Sequence, residues 1–188
     1  MTEWERKSEV IQRYDVTARM YDMRYEEEQK TKIEAALRKV DLEKTGSVLD
    51  IGCGTGLLFD YVTPAVETVV GVDFSRKVLA MAKERTCTSR NVHLILADAD
   101  SLPLKKSTFS HLFLITIIQN VPAVSRTLAE TKRVARRNAW IAATGLKKKF
   151  QPEILKQLLI KSGLQILSLD DSNAKFLLAI CRKGLHQV

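Results

Sequence analysis

Three glycines alternate at a point where an apolar run ends, and this spacing is the feature of the sequence that most directly predicts chemistry. Gly52, Gly54 and Gly56 follow the run that ends at Ile51, and a helical pattern comes next. Glycines at such a junction let the backbone turn sharply and approach a ligand closely. The spacing is not the G-x-G-x-x-G of dinucleotide sites, and the Lys-Ser/Thr of triphosphate loops is missing. We therefore expect a ligand site that binds neither a nicotinamide dinucleotide nor a triphosphate.

Three carboxylates occupy comparable positions. Asp50 stands inside the end of the first apolar run, Asp73 ends the second and Asp98 follows the third. Ligands of open α/β sheets bind beyond the carboxyl ends of the strands. We expect the three acids to gather at one edge of a sheet, around the glycine loop.

The elements that must position these residues follow from the alternation of β-branched runs and helical patterns after Ser47. Two strands at the end of the chain are joined by a short turn, which connects only antiparallel neighbours. The fold class is therefore α/β, with one doubly wound sheet of about seven strands whose last pair is antiparallel. The predicted strands are Ser47–Ile51, Thr68–Asp73, Val92–Ala97, Phe109–Ile118, Ala139–Gly145, Leu164–Asp170 and Lys175–Cys181, and the predicted helices are Gly56–Thr63, Ser75–Thr86, Ala123–Arg136 and Gln151–Ser162.

Length and composition set limits on the function. The 188 residues, 45% of them hydrophobic, fit one domain over 1–188, with a helical segment at 1–46 and the core at 47–188. No apolar run approaches the roughly 20 residues of a membrane span, and the first residues do not form a signal peptide. Three scattered cysteines fit no metal pattern and favour a reducing, cytoplasmic setting. The net charge of +8 suggests an anionic partner.

The glycine loop resembles the first motif of the class I S-adenosylmethionine-dependent methyltransferases, which have a Rossmann-like core. Their pattern D/E-x-G-x-G-x-G is matched over Asp50–Gly56. The stretch Gly71–Ser75 is similar to the end of their second strand, and Asp98–Leu104 resembles their D-A-x-x-L-P-F segment. The resemblance extends over about Tyr14 to Lys183 and implies S-adenosylmethionine as cofactor, with no metal. It also implies an enzyme that transfers methyl groups.

Within this resemblance, individual positions take expected roles. Asp73 matches the acid on the ribose hydroxyls, Asp98 the acid on the adenine amine, and Ala99 the backbone beside the ring. A carboxylate accepts two hydroxyl protons well, and an acidic pocket suits a cationic sulfonium ligand. The full set of expected cofactor contacts is Tyr21, Asp50, Gly52, Gly54, Gly56, Asp73, Phe74, Asp98, Ala99 and Gln119.

The N-terminal segment resembles the Y-D-x-x-A-x-x-Y-D stretch that folds over the cofactor in many family members. Tyr14 and Tyr21 are seven residues apart and share a helical face. They are expected either to form part of a lid or to pack the N-terminal helices onto the sheet. With Tyr25, Tyr14 is a candidate contact for the substrate.

The end of the fourth strand points to the methyl acceptor. Asn120-Val121-Pro122 resembles the start of the N-x-P-Y/F motif of enzymes that methylate exocyclic base amines, although Ala123 replaces the aromatic residue. An Asn oxygen that accepts an amine hydrogen would aim the nitrogen lone pair at the methyl group. Gln119–Pro122 is also similar to the loop of small-molecule and quinone methyltransferases.

Lys147, Lys148 and Lys149 follow the fifth strand, at the edge where the ligand site is expected. They are interpreted either as a solubilising turn or as a site for RNA phosphates. The prediction is an RNA methyltransferase, with rRNA favoured over tRNA and an exocyclic amine of cytosine or adenine as acceptor. A small activator protein is a further candidate partner, and the protein is expected to be a monomer or weak homodimer. The alternatives are a small-molecule or quinone methyltransferase and a non-catalytic subunit of an RNA-modifying complex.

Overall fold

A computed structural model describes residues 5, 7–9 and 25–184 of the chain. The described part is built on one seven-stranded sheet. Its strands are β1 (Ser47–Ile51), β2 (Thr68–Asp73), β3 (Val92–Leu96), β4 (Phe109–Leu114), β5 (Ala135–Leu146), β6 (Leu164–Asp170) and β7 (Phe176–Lys183). Its helices are α1 (25–37), α2 (Phe59–Val62), α3 (Arg76–Arg85), α4 (Val124–Val134) and α5 (Pro152–Lys161).

The strand order is β3-β2-β1-β4-β5-β7-β6, which is the doubly wound arrangement expected from the sequence. Strands β1 to β5 are parallel, whereas β7 lies between β5 and β6 and runs antiparallel to both. The predicted antiparallel ending is confirmed. The chain moves from β1 to β2 on one side and from β3 across to β4 on the other, so the order reverses between β1 and β4. Such a switch point is where sheets of this kind bind ligands.

Local sequence explains why the helices begin and end where they do. The Ser75 side chain accepts a hydrogen bond from the backbone N–H of Val78 at 3.2 Å and caps α3. Pro152 opens α5, where its missing N–H is not needed, and Gly163 follows α5 with a φ of +75°. These signals fix where α3 and α5 begin and where α5 ends.

Two buried hydrophobic clusters hold the helices against the two faces of the sheet. One contains Leu112 and Leu128 and packs α4 and α5, and the other contains Val48 and Phe59 and packs α1, α2 and α3. The central strands β1 and β4 are therefore apolar on both faces.

The bounds of β3 and β7 differ from the sequence prediction by one or two residues, and the larger differences are in β4 and β5. Strand β4 ends at Leu114 and not at Ile118, because the chain turns at Thr116, whose φ is +65°. Strand β5 begins at Ala135, earlier than predicted, and contains a bulge before Trp140. The turn at Thr116 shapes the ligand site. In the described ranges, no helix is long and apolar enough to cross a membrane.

Candidate active site

A cavity opens at the carboxyl ends of the central strands, at the switch point between β1 and β4. The loop after β1 forms one wall. Its backbone N–H groups at Gly52 and Cys53 both donate to the carbonyl oxygen of Val72, at 2.8 and 3.0 Å. These bonds tie the loop to β2 and leave it curved around the cavity.

The loop glycines differ in what surrounds them. A Cβ at Gly52 would lie 2.7 Å from Cδ1 of Ile117, and its φ is +73°. A Cβ at Gly54 would meet no heavy atom within 4 Å, and its φ is +57°. Gly56 has a φ of +82° and is packed against the ring of Phe59. Gly52 and Gly54 therefore line the cavity, whereas Gly56 allows α2 to pack beneath the loop.

Asp73 is held in one orientation at the end of β2. Its Oδ2 accepts the N–H of Gly54 at 3.0 Å, and its Oδ1 accepts the N–H of Ser75 at 2.9 Å. Both bonds come from the backbone and fix the carboxylate on the cavity wall. A carboxylate fixed in this way suits a pair of neighbouring hydroxyl groups.

Asp50 is 3% exposed and lines the same cavity. Burial, and secondarily the nearby Asp73, raises the pKa of Asp50 to about 8. No ion pair of Asp50 is present among the residues that the structure describes. A buried carboxylate with a second one nearby on the same cavity wall fits a ligand that carries a positive charge.

Asp98 lies at the far end of the cavity, after β3, where it meets an unexpected cation. The Lys7 ammonium is 2.7 Å from Oδ2 of Asp98 and 2.7 Å from Oδ2 of Asp100. Lys7 is buried and lines the cavity. A residue of the N-terminal segment thus reaches the acid that was predicted to bind adenine.

The opposite end of the cavity is formed by the chain after β4. Asn120, Val121 and Pro122 line it, as predicted. Nδ2 of Asn120 donates to the Thr116 carbonyl oxygen at 2.8 Å. The amide group is therefore oriented with its nitrogen towards Thr116 and its oxygen Oδ1 directed away from Thr116.

Gln119 is placed differently from the prediction. Its Nε2 donates to the same Thr116 carbonyl at 2.6 Å, and Gln119 is not among the residues that line the cavity. The reason is the turn at Thr116, which directs the Gln119 side chain back onto the backbone. Gln119 supports the loop, and its contact with the cofactor stays a prediction.

Helix α1 closes the side of the cavity next to this turn. Gln29 and Ile33, one helical turn apart, line the wall. The Thr116 hydroxyl donates to Oε1 of Gln29 at 2.8 Å. Lys32, whose side chain is wholly buried, donates to the same hydroxyl at 3.0 Å and to Glu28 at 2.6 Å. These bonds join α1 to the loop after β4.

The described lining of the cavity contains neither His, Tyr nor Glu. Its carboxylates come from β1, β2 and β3, and the end formed by α1 and the loop after β4 carries amides, a hydroxyl and apolar groups. The Cys53 thiol is also present, but burial together with Asp50 and Asp73 raises its pKa well above the ordinary value. A thiol held in this way stays protonated and is a poor nucleophile.

The predicted cofactor contacts on the cavity wall are Asp50, Gly52, Gly54, Asp73, Phe74, Asp98 and Ala99. Tyr25 is 37% exposed and does not line the cavity, and neither do Lys147, Lys148 and Lys149. Lys147 instead donates to the carbonyl oxygen of Asp171 in the β6–β7 turn. Tyr14 and Tyr21 lie outside the described residues.

Sequence reasoning missed Lys7, Gln29, Ile33 and Thr116. The spacing of Gln29 and Ile33 on a helical face was a usable signal, because it places both on the side of α1 that meets the sheet. Nothing in the sequence marks Lys7, since its role depends on how the N-terminal segment folds back.

The geometry agrees with a comparison against known families. Residues 49–143 match the methyltransferase domain family. The chain belongs to this family. It contains a methyltransferase domain, and S-adenosylmethionine is the cofactor that the glycine loop predicts. The buried Asp50, the fixed Asp73 and the open side of Gly54 fit that ligand, whose sulfonium and amino groups are cationic and whose ribose carries two hydroxyls.

Curated relatives of the methyltransferase act on different molecules. The malonyl-[acyl-carrier protein] O-methyltransferase of Marinomonas is 30% identical over 154 residues, which are 80% of this chain and 56% of the relative. The demethylmenaquinone methyltransferase of Shouchella clausii is 27% identical over 132 residues, or 68% and 55% of the two chains. The chain thus spans about half the length of these relatives.

A solved structure is similar over a larger share of the methyltransferase. It is a Haloferax volcanii complex between the Trm112 methyltransferase activator and a protein described as a methyltransferase. The similarity covers 92% of this chain and 98% of that one, at 14% identity and a TM-score of 0.83. At this identity the comparison shows the shared fold.

Proposed function

We propose that this methyltransferase transfers the methyl group of S-adenosylmethionine to an exocyclic amine of an RNA base, cytosine or adenine, with ribosomal RNA as the favoured substrate. The observation that carries the proposal is the acceptor end of the cavity. It presents the Asn120 amide, oriented by Thr116, and the carboxylates of the described lining come from β1, β2 and β3, where they are assigned to the cofactor.

This combination suits a nitrogen acceptor. An exocyclic amine attacks in its neutral form, so that no proton has to be removed before the methyl group moves. Oδ1 of Asn120 accepts an amine hydrogen and turns the nitrogen lone pair out of the ring conjugation. A phenol or a hydroquinone, in contrast, becomes a strong nucleophile only after it loses a proton.

The atoms of the reaction balance without a further reactant. The bound cofactor supplies an electrophilic methyl group on a cationic sulfur. The amine nitrogen forms the new N–C bond while the S–C bond breaks, and the positive charge passes from sulfur to nitrogen. The nitrogen then loses a proton to water.

The remaining residues are proposed to hold the cofactor. Asp73 binds the ribose hydroxyls, Asp98 the adenine amine with Ala99 beside the ring, and Asp50 compensates the cationic end. The loop at Gly52 and Gly54 allows the close backbone approach. Lys7 must release Asp98 when adenine enters, which is the proposed lid role of the N-terminal segment.

The net charge of +8 supports an anionic substrate such as RNA. Lys148 and Lys149 are exposed after β5, at the same edge of the sheet as the cavity. They are proposed to contact phosphates, together with Lys147. A small activator protein is a proposed partner, supported by the similarity to the methyltransferase that is bound to Trm112.

The second candidate substrate is a small molecule such as a quinone. The names of the curated relatives favour it, and so do the apolar groups Ile33, Ile115 and Val121 around the acceptor end. A flat apolar ring fits such walls as well as a nucleobase does.

The two candidates are separated by following labelled methyl groups from S-adenosylmethionine into RNA and into a quinol extract in parallel reactions. The proposal expects label in RNA, and it expects Asn120→Ala to abolish that transfer while cofactor binding is retained. Label found only in the quinol fraction would contradict it.

A further inference from the structure

A bulge at the start of β5 presents two arginines to solvent. It lies at the amino ends of the parallel strands, whereas the cavity lies at their carboxyl ends. Two steps along β4, from Phe109 to His111, correspond to five steps along β5, from Ala135 to Trp140. Three extra residues are therefore looped out of the ladder, namely Arg136, Arg137 and Asn138. All three are exposed, and Asn138 has a φ of +61°.

A second basic turn lies directly beside the bulge. Lys105 and Lys106 are exposed and precede Ser107, whose φ is +55°. The N–H of Ser107 donates to the carbonyl of Arg133 at 2.9 Å, and the N–H of Thr108 to that of Val134 at 2.7 Å. The turn before β4 is thus fastened to the end of α4, next to the looped-out arginines.

Two further lysines complete the surface. Lys183, near the end of β7, donates to the carbonyl of Ala135 at 2.8 Å. Lys132 lies close enough to repel it, since burial and then the charge of Lys132 lower the pKa of Lys183. Two ammonium groups in repulsion favour a bound anion between or beside them. The six residues that we name the basic edge are Lys105, Lys106, Lys132, Arg136, Arg137 and Lys183.

The basic edge carries cations without compensating acids. Segments 105–108, 132–138 and 182–184 contain no Asp or Glu. In the described ranges, none of its six residues forms an ion pair with a carboxylate. Arg133, which lies between them, is different because it is paired with Glu130. Such a local excess of charge is not needed for folding, because exposed cations contribute little to stability.

We infer that the basic edge is a docking surface for the phosphate backbone of a folded RNA. The inference deepens the proposed function and rests on it, because it concerns the same RNA substrate. Arginine binds phosphate oxygens through a planar fork of donors, and the bulge presents two adjacent arginines. The six residues of β4 span about 20 Å from this edge to the cavity. A single RNA element that folds around the side of the sheet therefore contacts both.

An acidic protein is the competing partner of similar charge. The arrangement favours RNA, because the cations occupy two adjacent turns and a strand end. They form a wide band, which suits the regular spacing of phosphates along a strand. Among the described residues, no exposed large apolar side chain is adjacent in sequence to any of the six residues. Protein interfaces usually contain such groups at their centre.

The test is the affinity of the full chain for a fluorescein-labelled RNA hairpin, measured by anisotropy over a range of salt concentrations without methyl donor. Arg136→Ala/Arg137→Ala should weaken binding about tenfold at 0.15 M salt and reduce the salt slope by about two. The control, Arg38→Ala/Lys83→Ala, removes the same charge from exposed positions outside both the basic edge and the Lys147–Lys149 turn, and should change affinity less than twofold. Thermal unfolding checks that both variants fold.

Equal affinity and salt slope for the wild type and the arginine variant would overturn the inference, as would a wild type that does not bind the hairpin. Displacement of the hairpin by polyglutamate as readily as by unlabelled RNA would favour an acidic protein and also overturn it. Methyl transfer is measured separately. If RNA is methylated but its binding does not depend on the bulge, the docking surface is rejected and the proposed substrate is retained. If RNA binds through the bulge but is not methylated, the proposed substrate is rejected and the docking surface is retained.

Discussion

Nζ of Lys32 donates a hydrogen bond to Oγ1 of Thr116 at 3.0 Å, and this contact connects a wholly buried cation in α1 to the loop after β4, the proposed acceptor loop. Thr116 is β-branched and has a φ of +65°, a conformation that costs free energy and persists only when neighbours hold it. Its N–H donates to Oγ1 of Thr144 at 2.8 Å, and its carbonyl accepts from Nδ2 of Asn120. Helix α1 therefore helps to set the orientation of the acceptor loop.

Lys32→Met should impair methyl transfer without preventing cofactor binding. Removing the ammonium releases one of the bonds on Thr116, so that the turn relaxes and the Asn120 amide moves. Displacements of about 1 Å in such groups lower rates by up to about a hundredfold. We expect a 10- to 100-fold loss in single-turnover methyl transfer to RNA, with the cofactor Kd from calorimetry changed by less than threefold.

Lys30→Met is the matched control, because Lys30 is on the same helix, is half-buried and, among the described residues, forms ion pairs only with acids of its own helix. An equal loss in both variants would attribute the effect to α1 in general. An unchanged rate in Lys32→Met would refute the role of the Thr116 contact.

Cofactor binding should become tighter as the pH rises towards 9. Asp50 has a pKa of about 8 in the unliganded protein, and the cationic cofactor binds its ionised form. Below pH 8 a proton must leave Asp50 when the cofactor binds. The affinity for the cofactor therefore falls by up to about tenfold for each pH unit below 8. Calorimetry in buffers of different ionisation enthalpy should detect the released proton near pH 7. Asp50→Asn should show no such release, and a wild type without proton release would contradict the assignment.

The unliganded protein should show the opposite trend in stability. The native state holds a proton on Asp50 that the unfolded chain has already lost above its ordinary pKa of 3.8. The contribution of Asp50 to the free energy of unfolding therefore decreases as the pH rises from about 4 to about 8. Denaturant titrations of the wild type and Asp50→Asn isolate this contribution. Parallel pH profiles of the two proteins would show that Asp50 titrates normally.

Gly54→Ala should fold but bind cofactor poorly. Its positive φ costs an alanine about 1 to 2 kcal/mol, and the new methyl group enters open space at the cavity wall. We expect at least a tenfold rise in cofactor Kd. Gly163→Ala carries a similar backbone cost at φ +75°, and its Cβ meets only the flexible Lys132 side chain. That control should lose stability but retain the cofactor Kd. Equal losses of affinity in the two variants would argue against a close approach of the cofactor to Gly54.

Replacing Lys147, Lys148 and Lys149 by alanine should weaken RNA binding and flatten its salt dependence. The three residues follow β5 at the cavity side of the sheet, whereas the basic edge lies at the opposite side. Because the two surfaces are independent, their effects on the free energy of binding should add. Anisotropy titrations at low and high salt provide the measurement, and unchanged binding at both would remove these lysines from the RNA interface.

Much of the fold could be predicted because its signals are local. Strands β1, β2 and β6 have the predicted bounds, since each is a short β-branched run between clear turn signals. The cavity-lining acids Asp50, Asp73 and Asp98 could also be predicted, because parallel strands bring their carboxyl ends to one edge. The family match over 49–143 supports the cofactor that the glycine loop predicted.

The parts that could not be predicted depend on tertiary contacts. Residues 115–118 continue the apolar run of β4, so nothing local reveals that Thr116 leaves the sheet. Its conformation is stabilised by Lys32, Gln29 and Thr144, which are distant in sequence. The bulge at Arg136 could not be predicted for the same reason, because it depends on how β5 aligns with β4.

The most direct test of the central claim is mass spectrometry of nucleosides from the rRNA and tRNA of a strain that lacks this protein. We predict that one N-methylated cytidine or adenosine disappears and is restored by the wild-type chain but not by Asn120→Ala. A complete set of methylated nucleosides in the deletion strain, together with loss of a methylated small molecule, would contradict it.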